Sequence, residues 1–359
     1  MAATSYRAWT LVAPGTPLRL ETRTVPKPHP QGVVVRIESA MLLSYMAKVI
    51  DGSLSYALPP LPFVPGTNAI GRVEAIGPEV FHVAPGDRVF LSPHLVADEP
   101  TDEPAQILIG LTAMGSGSAP LQQVWRDGVC AELAHWPAAC VTPLRGLDGR
   151  TDLIALAKLV VPYGGLLRAG IEPGQTVLVN GATGYYGSAG IMMALAMGAG
   201  RVVAIGRDAA ALARLAGTLG PRVATAALTG EAAADLARIQ DAAGGKADAA
   251  LDLLGQAAST ASTGATLRSL RRGGRLVLMG SAGAPLEIGF GEMLANDWEV
   301  IGNFMYPAEA PGKLAALVRA GLLDLSPIRI RRFPLSQLPA AIEAAAGMRD
   351  LDLTAVEPD

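Results

Sequence analysis

Three glycines, Gly181, Gly184 and Gly187, stand within Thr176–Asp208, TVLVNGATGYYGSAGIMMALAMGAGRVVAIGRD. The apolar run Val177-Leu178-Val179 precedes them and an Ala/Met-rich segment follows. Glycines between a strand and the first turn of a helix let backbone N–H groups reach a phosphate with no Cβ in the way. The helix dipole favours an anion at the same place. This is the chemistry of holding a pyrophosphate, as a dinucleotide carries. Read strictly, the G-x-G-x-x-G pattern has Ala182 first, with Gly181 one residue earlier. A glycine fingerprint alone fits a plain structural turn, but the strand before it and the helix after it favour the dinucleotide. Thr183 belongs to the same turn and is counted with its cofactor-facing residues.

The second strand of the unit, Arg201–Ile205, ends in Gly206, Arg207 and Asp208. An acid at that place bonds an unmodified ribose 2′-OH. Glycine instead leaves room for a 2′-phosphate, and a guanidinium matches phosphate in charge and fork geometry. Asp208 comes one residue too late and suits the N-cap of a helix beginning at Ala209. The reading is NADP(H), with an ordinary solvated arginine as the plain alternative for Arg207.

Elements must hold these groups in place. Tyr6–Val12, Leu18–Thr24, Gly32–Ala40, Ala69–Ile76 and Asp87–Leu91 read as strands, and Val129–Pro143 as another strand pair. Leu42–Val49 reads as a short helix and Pro59–Pro65 as a loop. From Thr151 the period lengthens to that of helices. Asp152–Leu159 and Gly164–Ala169 are expected helices on either side of Pro162. Strands at Val177, Arg201, Val223, Ala249, Arg275 and Trp298 then alternate with helices. This is an α/β chain with a doubly wound parallel sheet. Helices at Lys313–Ala320 and Leu338–Ala346 and a strand at Leu353–Glu357 follow.

At 359 residues the chain is long enough for two cores, and 50% of it is hydrophobic against 17% charged. The net charge of −3 and the lack of a basic tract argue against nucleic acid as the partner. The opening MAATSYRAWT has no apolar core region, so no signal peptide is expected, and no apolar run is long enough for a membrane span. A cytoplasmic enzyme acting on a small molecule is the expectation. Cys130 and Cys140 fit no zinc spacing and read as packed thiols.

The chain resembles the medium-chain dehydrogenase/reductase superfamily over nearly its whole length. The resemblance rests on PFVPGTNAIGRVEAIGPEV at 62–80, VAPGDRVF at 83–90 and DGVCAELAHWPAACVTPL at 127–144. It rests further on IEPGQTVLVNGATGYYG at 171–187, LRRGGRLVLMG at 270–280 and FPLSQLPAAIEAA at 333–345. It implies a GroES-like β-rich substrate domain, residues 1–152 and 306–359, and a Rossmann cofactor domain, residues 153–305, with the active site between them. It also implies a homodimer pairing Trp298–Met305 across a two-fold axis. Val161-Pro162-Tyr163 matches a segment that flanks the nicotinamide in relatives. Gly280 and Ser281, at the carboxyl edge of the sheet, would serve the carboxamide through their backbone. Tyr185 and Tyr186 stand where relatives carry a small residue, and one of them is expected to close over the pyrophosphate.

Departures from the family are more informative. Zinc alcohol dehydrogenases of this type carry a Cys after the first long strand and a His-Glu pair after Pro-Gly; here those places hold Leu43, Thr67 and Asn68. The four-cysteine lobe is missing, replaced by an insert at 92–126, and His29, His82, His94 and His135 read as scattered and unpaired. No zinc is expected. Without a Lewis acid the hydride acceptor must be electrophilic already or be activated by hydrogen bonds. The chain looks most like the zinc-free quinone oxidoreductases and enoyl reductases, where a tyrosine often sits just past the lost cysteine. Tyr45 has that place, and Tyr56 follows it. A phenol there either donates the proton or orients a water that does; the alternative for both tyrosines is packing. Asn68 bonds either the substrate or the backbone. The expectation is an NADPH-dependent reductase of activated C=C, quinone or C=N acceptors. The alternatives are an alcohol or aldehyde oxidoreductase, or a dinucleotide-binding protein with little turnover.

Overall fold

Val33-Val34-Val35 is buried on both faces of its strand, which puts that strand in the interior of a sheet. The computed structural model describes residues 4–359. The N-terminal elements are β1 (Ser5–Thr10), β2 (Arg19–Thr24), β3 (Gly32–Met41), α1 (Met46–Ile50), β4 (Ala69–Ile76) and β5 (Arg88–Leu91). The insert supplies β6 (His94–Val96), β7 (Gln106–Leu108), β8 (Thr112–Met114) and α2 (Ala119–Val124). These three strands make a small antiparallel sheet of their own. β9 (Leu133–Pro137) and β10 (Val141–Pro143) do not pair with each other, contrary to the alternation. A 3₁₀ turn at Ala138–Cys140 separates them and sends β9 to β3 and β10 to β5.

The second half begins with α3 (Leu156–Ala169), where one helix replaces the expected two. Pro162 lies inside it, and packing overrides the break: a Cβ on Gly164 would sit 2.3 Å from Met305 O, and one on Gly165 would sit 2.3 Å from Met279 Sδ. Then come β11 (Thr176–Asn180), α4 (Tyr185–Ala196), β12 (Arg201–Gly206), α5 (Ala209–Leu219), β13 (Val223–Ala227) and α6 (Ala232–Ala243). After them follow β14 (Ala247–Asp252), α7 (Ala261–Arg268), β15 (Leu270–Leu278), α8 (Phe290–Asn296) and β16 (Glu299–Gly302). The six strands are parallel in the order β13-β12-β11-β14-β15-β16, the doubly wound arrangement. β16 is shorter than expected. Asn303 Nδ2 donates to Met305 O at 2.9 Å and Met305 has φ +55°, so the chain turns away there.

The remaining elements are α9 (Ala310–Arg319), β17 (Arg329–Pro334), α10 (Leu338–Ala346) and β18 (Asp352–Glu357). β18 returns to the first sheet, lying between β3 and β17 in the order β10-β5-β4-β3-β18-β17. The fold is therefore a GroES-like β-rich part and a Rossmann part, joined where the chain passes between the two sheets. Among the described residues no helix is long and apolar enough to cross a membrane.

Candidate active site

The glycine turn forms because β11 must end and α4 begin almost on top of it. Gly181 has φ +79°, and a Cβ on Gly187 would lie 2.0 Å from Gly181 O, so only glycine allows the helix to start this close to the strand. Gly184 is exposed as the N-cap of α4, and no side chain caps that helix, so its first N–H groups face outward at the carboxyl edge of the sheet. This cradle fits a pyrophosphate. Gly206 closes β12 beside Thr183; a Cβ there would touch Thr183 and Leu212 at 3.5–3.6 Å. Asp208 caps α5 as expected, its Oδ1 accepting from Ala211 N at 2.9 Å. Arg207 is exposed and has no hydrogen-bond or ion-pair partner among the described residues.

Gly280 is needed where β15 passes the β14 loop, since a Cβ would meet Leu254 O at 2.2 Å. Ser281 differs from expectation. Its N–H donates to Leu254 O at 2.8 Å, so its backbone amide is not free to reach a carboxamide. Tyr185 also differs. Its ring is buried, its hydroxyl donates to Met41 Sδ at 3.0 Å, and Lys158 Nζ lies 4.1 Å from its ring centroid. It faces the GroES-like sheet, and the β11–α4 turn brings it there rather than over the pyrophosphate.

Tyr186 packs edge-to-face on Tyr185, with ring centroids 4.8 Å apart, and lies within a group of phenols. Tyr45, the residue ahead of α1, stacks edge-to-face with Tyr56 at 6.4 Å, within hydrogen-bonding reach. Burial pushes the Tyr45 hydroxyl well above the usual phenol range, and the neighbouring Tyr186 and Tyr56 add to that. Burial does the same to Tyr186, with contributions from Tyr185, Tyr306 and Tyr56. Tyr45 and Tyr186 therefore stay protonated, as donors, at neutral pH. Tyr56 is 37% exposed, which makes it the group at the mouth of the cluster.

Tyr306 closes the inner end. Its hydroxyl meets Ser92 Oγ at 2.9 Å and lies in reach of the Asn68 carboxamide. Burial raises its pKa, and the bonds to Ser92 and Asn68 oppose the rise. The structure thus places Tyr45 beside Tyr56 and links them through Tyr186 and Tyr306 to Asn68, which is buried and bonded to protein: its Nδ2 donates to Leu91 O at 3.3 Å.

Comparison with known proteins matches both halves. Residues 29–146 fit the alcohol dehydrogenase GroES-like domain and residues 187–320 fit the zinc-binding dehydrogenase domain, more than half of the chain together. The chain belongs to the medium-chain dehydrogenase/reductase superfamily. It is an oxidoreductase of that superfamily, in a dinucleotide-binding family. Human sorbitol dehydrogenase is 26% identical over 329 residues, 91% of this chain and 89% of that protein. L-arabinitol 4-dehydrogenase of Talaromyces emersonii is 29% identical over 296 residues, 78% and 72% of the two chains. A putative zinc-binding dehydrogenase from Sinorhizobium meliloti 1021, solved bound to NADP, shares the fold with a TM-score of 0.80 at 21% identity, covering 99% of this chain and 100% of that one.

The superfamily's catalytic metal does not fit the side chains here. Leu43 is a buried alkyl group, and Thr67 a buried hydroxyl with no partner. Asn68 is a carboxamide whose nitrogen already donates to protein. None of the three resembles the imidazole, thiolate and carboxylate that zinc takes. Among the described residues no three His, Cys, Asp or Glu side chains gather as a ligand set. Burial pushes both cysteine thiols up to about 12. The histidines are less scattered than their spacing suggests: His29 N donates to His135 Nε2 at 2.9 Å, and both rings pack on Trp125. His94 is bound through both ring nitrogens, to Tyr306 O and Gln106 Oε1.

Sequence reasoning missed Tyr306 and Lys158. Tyr306 lies in the turn after β16, and nothing in its neighbours marks it. Lys158 is fully buried, donating to Asp350 O at 2.6 Å and Asp352 O at 3.0 Å. A lysine inside an apolar helix was the available signal.

Proposed function

We propose that this protein is an NADPH-dependent, metal-free reductase of activated C=C, quinone or C=N acceptors. The observation that carries the reading is a set of residue types: Leu43, Thr67 and Asn68 at the metal-ligand places, and the phenols of Tyr45, Tyr56 and Tyr186 gathered together. The nicotinamide cofactor supplies a hydride when bound. The glycine turn and the N-terminus of α4 hold its pyrophosphate, and Gly206 and Arg207 accommodate a 2′-phosphate. The Tyr45 hydroxyl, kept protonated by burial, donates a hydrogen bond to the acceptor's oxygen or nitrogen as negative charge develops there. It then passes on its proton, or orients a water that does, and Tyr56 stands between Tyr45 and solvent to restore it.

The second reading is an alcohol or aldehyde oxidoreductase, with Tyr45 as the acid; the sequence relatives named as sorbitol and arabinitol dehydrogenases favour it. The test is oxidation of NADPH and NADH by the purified protein with panels of enones, quinones, imines and aldehydes. Turnover with enones, quinones or imines supports the first reading and turnover with aldehydes alone the second. Tight cofactor binding with no turnover on any panel would leave a dinucleotide-binding protein in place of an enzyme. Stoichiometric zinc, with activity lost to a chelator, overturns the metal-free part.

A further inference from the structure

The cleft at the end of β12 has two walls. Thr183, Gly184, Arg207 and Arg214 form one, and Met348 and Arg349 belong to the other, enclosing about 640 Å³. The second wall is the segment between α10 and β18, so it is carried by the strand that enters the GroES-like sheet.

That segment is fixed against the glycine turn. Asp350 N donates to Thr183 O at 3.3 Å, and Asp350 O accepts from Lys158 Nζ at 2.6 Å and from Ser188 Oγ. Asp350 adopts φ +45°, outside the range most side chains favour, and these bonds hold it there. Arg349 is thereby presented from a rigid base, its own N–H donating to Asp352 Oδ2 at 3.2 Å.

Charges in the cleft divide unevenly. The acid Asp208 caps α5. The acid Asp350 pairs with Arg214 at 3.6 Å. Arg207 and Arg349 have no ion-pair partner among the described residues, and both are exposed. An unphosphorylated ribose calls for a carboxylate free to accept from its hydroxyls. Two free guanidinium groups on opposite walls call instead for a dianion between them.

We infer that Arg349 is a second recognition residue for the 2′-phosphate of NADP(H), gripping it from the tail while Arg207 grips it from the end of β12. The inference rests on the NADPH reading above and adds a contact from outside the Rossmann sheet. A bound phosphate then adds a bridge from the tail to the end of β12, beyond the bonds that already fix the tail against the glycine turn.

Calorimetric titration of wild type, Arg207→Ala, Arg349→Ala and Arg349→Lys with NADP⁺, NAD⁺, 2′-AMP and 5′-AMP tests this. Arg349→Ala is expected to weaken NADP⁺ and 2′-AMP by roughly tenfold or more, as loss of one charge-assisted contact does. NAD⁺ and 5′-AMP should stay within about twofold, and Arg349→Lys should recover part of the loss. The rise in Tm on adding NADP⁺ should shrink in Arg349→Ala while the ligand-free Tm holds, which a merely structural role would not give. Loss of preference in Arg207→Ala but not in Arg349→Ala overturns the tail contact and leaves the NADPH reading standing. A wild type that binds NAD⁺ as tightly as NADP⁺ overturns both.

Discussion

Tyr306 and Ser92, 214 residues apart in sequence, bring their hydroxyls to 2.9 Å in the interior, where Tyr306 also reaches Asn68. The side chains therefore join the turn after β16 to the first sheet at the place where zinc relatives carry their ligands. Tyr306→Phe leaves the ring's packing intact and removes the hydroxyl. Ser92 Oγ then lacks its tyrosine partner in a buried place, a cost of roughly 1–3 kcal/mol. Urea unfolding should show that loss with cofactor affinity within about twofold. An unchanged midpoint and slope would mean the bond is not made in solution.

Tyr45→Phe addresses the chemistry directly. The expected result is a fall in kcat of about a hundredfold or more, with cofactor affinity unchanged, because the contact matters when charge develops on the acceptor. Tyr56→Phe should fall less, since water can take over at the mouth of the cleft. Turnover equal to wild type in Tyr45→Phe removes that residue from the mechanism.

Lys158 predicts a pH dependence. Burial lowers its pKa from 10.5 to about 7, against the opposing pull of Asp352, with Arg329 lowering it further. The folded state thus binds fewer protons than the unfolded state between about pH 7 and 10.5, and stability rises with pH across that window. The penalty is fully present below pH 7. Both buried thiols act oppositely above pH 9, because their pKa values are raised to about 12. The clean comparison is pH 7 against pH 9: wild type should gain on the order of 1–3 kcal/mol at pH 9. Lys158→Met should lose that gain. Equal pH slopes for the two proteins would show that the amine is not held neutral.

The short helix α8 buries none of its residues, and Phe290 and Leu294 on it are 87% and 69% exposed. It lies in sequence just before β16, the edge strand of the six-stranded sheet. An open edge strand and bare aromatic and aliphatic side chains favour association. The expectation is a homodimer through β16, the part of Trp298–Met305 that forms a strand. Sedimentation should give twice the chain mass for wild type and a shift to single chains for the double variant Phe290→Glu, Leu294→Glu. A monomeric wild type at micromolar concentration would refute the pairing.

The glycine turn, the six strands and the cap at Asp208 were legible because each rests on local chemistry: close approach, alternation, and a side chain bonding its own helix. The elements legible in the sequence lie near their observed bounds, but β6, β7, β8 and α2 of the insert, and α8 and β17, are not among them. The single helix across Pro162 was not legible, because it depends on Gly164 and Gly165 lying against Met305 and Met279 from another part of the chain. The same applies to Tyr185 and Tyr186. Adjacent in sequence, they stay in edge-to-face contact at 4.8 Å, and only the packing of the two sheets sets the Tyr185 hydroxyl on Met41 and Tyr186 among the other phenols. The tail's place in the wall of the cleft at the end of β12 was equally hidden. Asp350 is held by Thr183, Ser188 and Lys158, none within 150 residues of it.

β18 lies between β3 and β17, yet it is translated more than three hundred residues after β3. On the ribosome, the central strand of the first sheet must wait with one flank incomplete while all six strands of the nucleotide fold emerge and close up. Such late, long-range closure is slow and leaves strand edges open to neighbours. Chaperone demand in this protein should therefore come from the part made first.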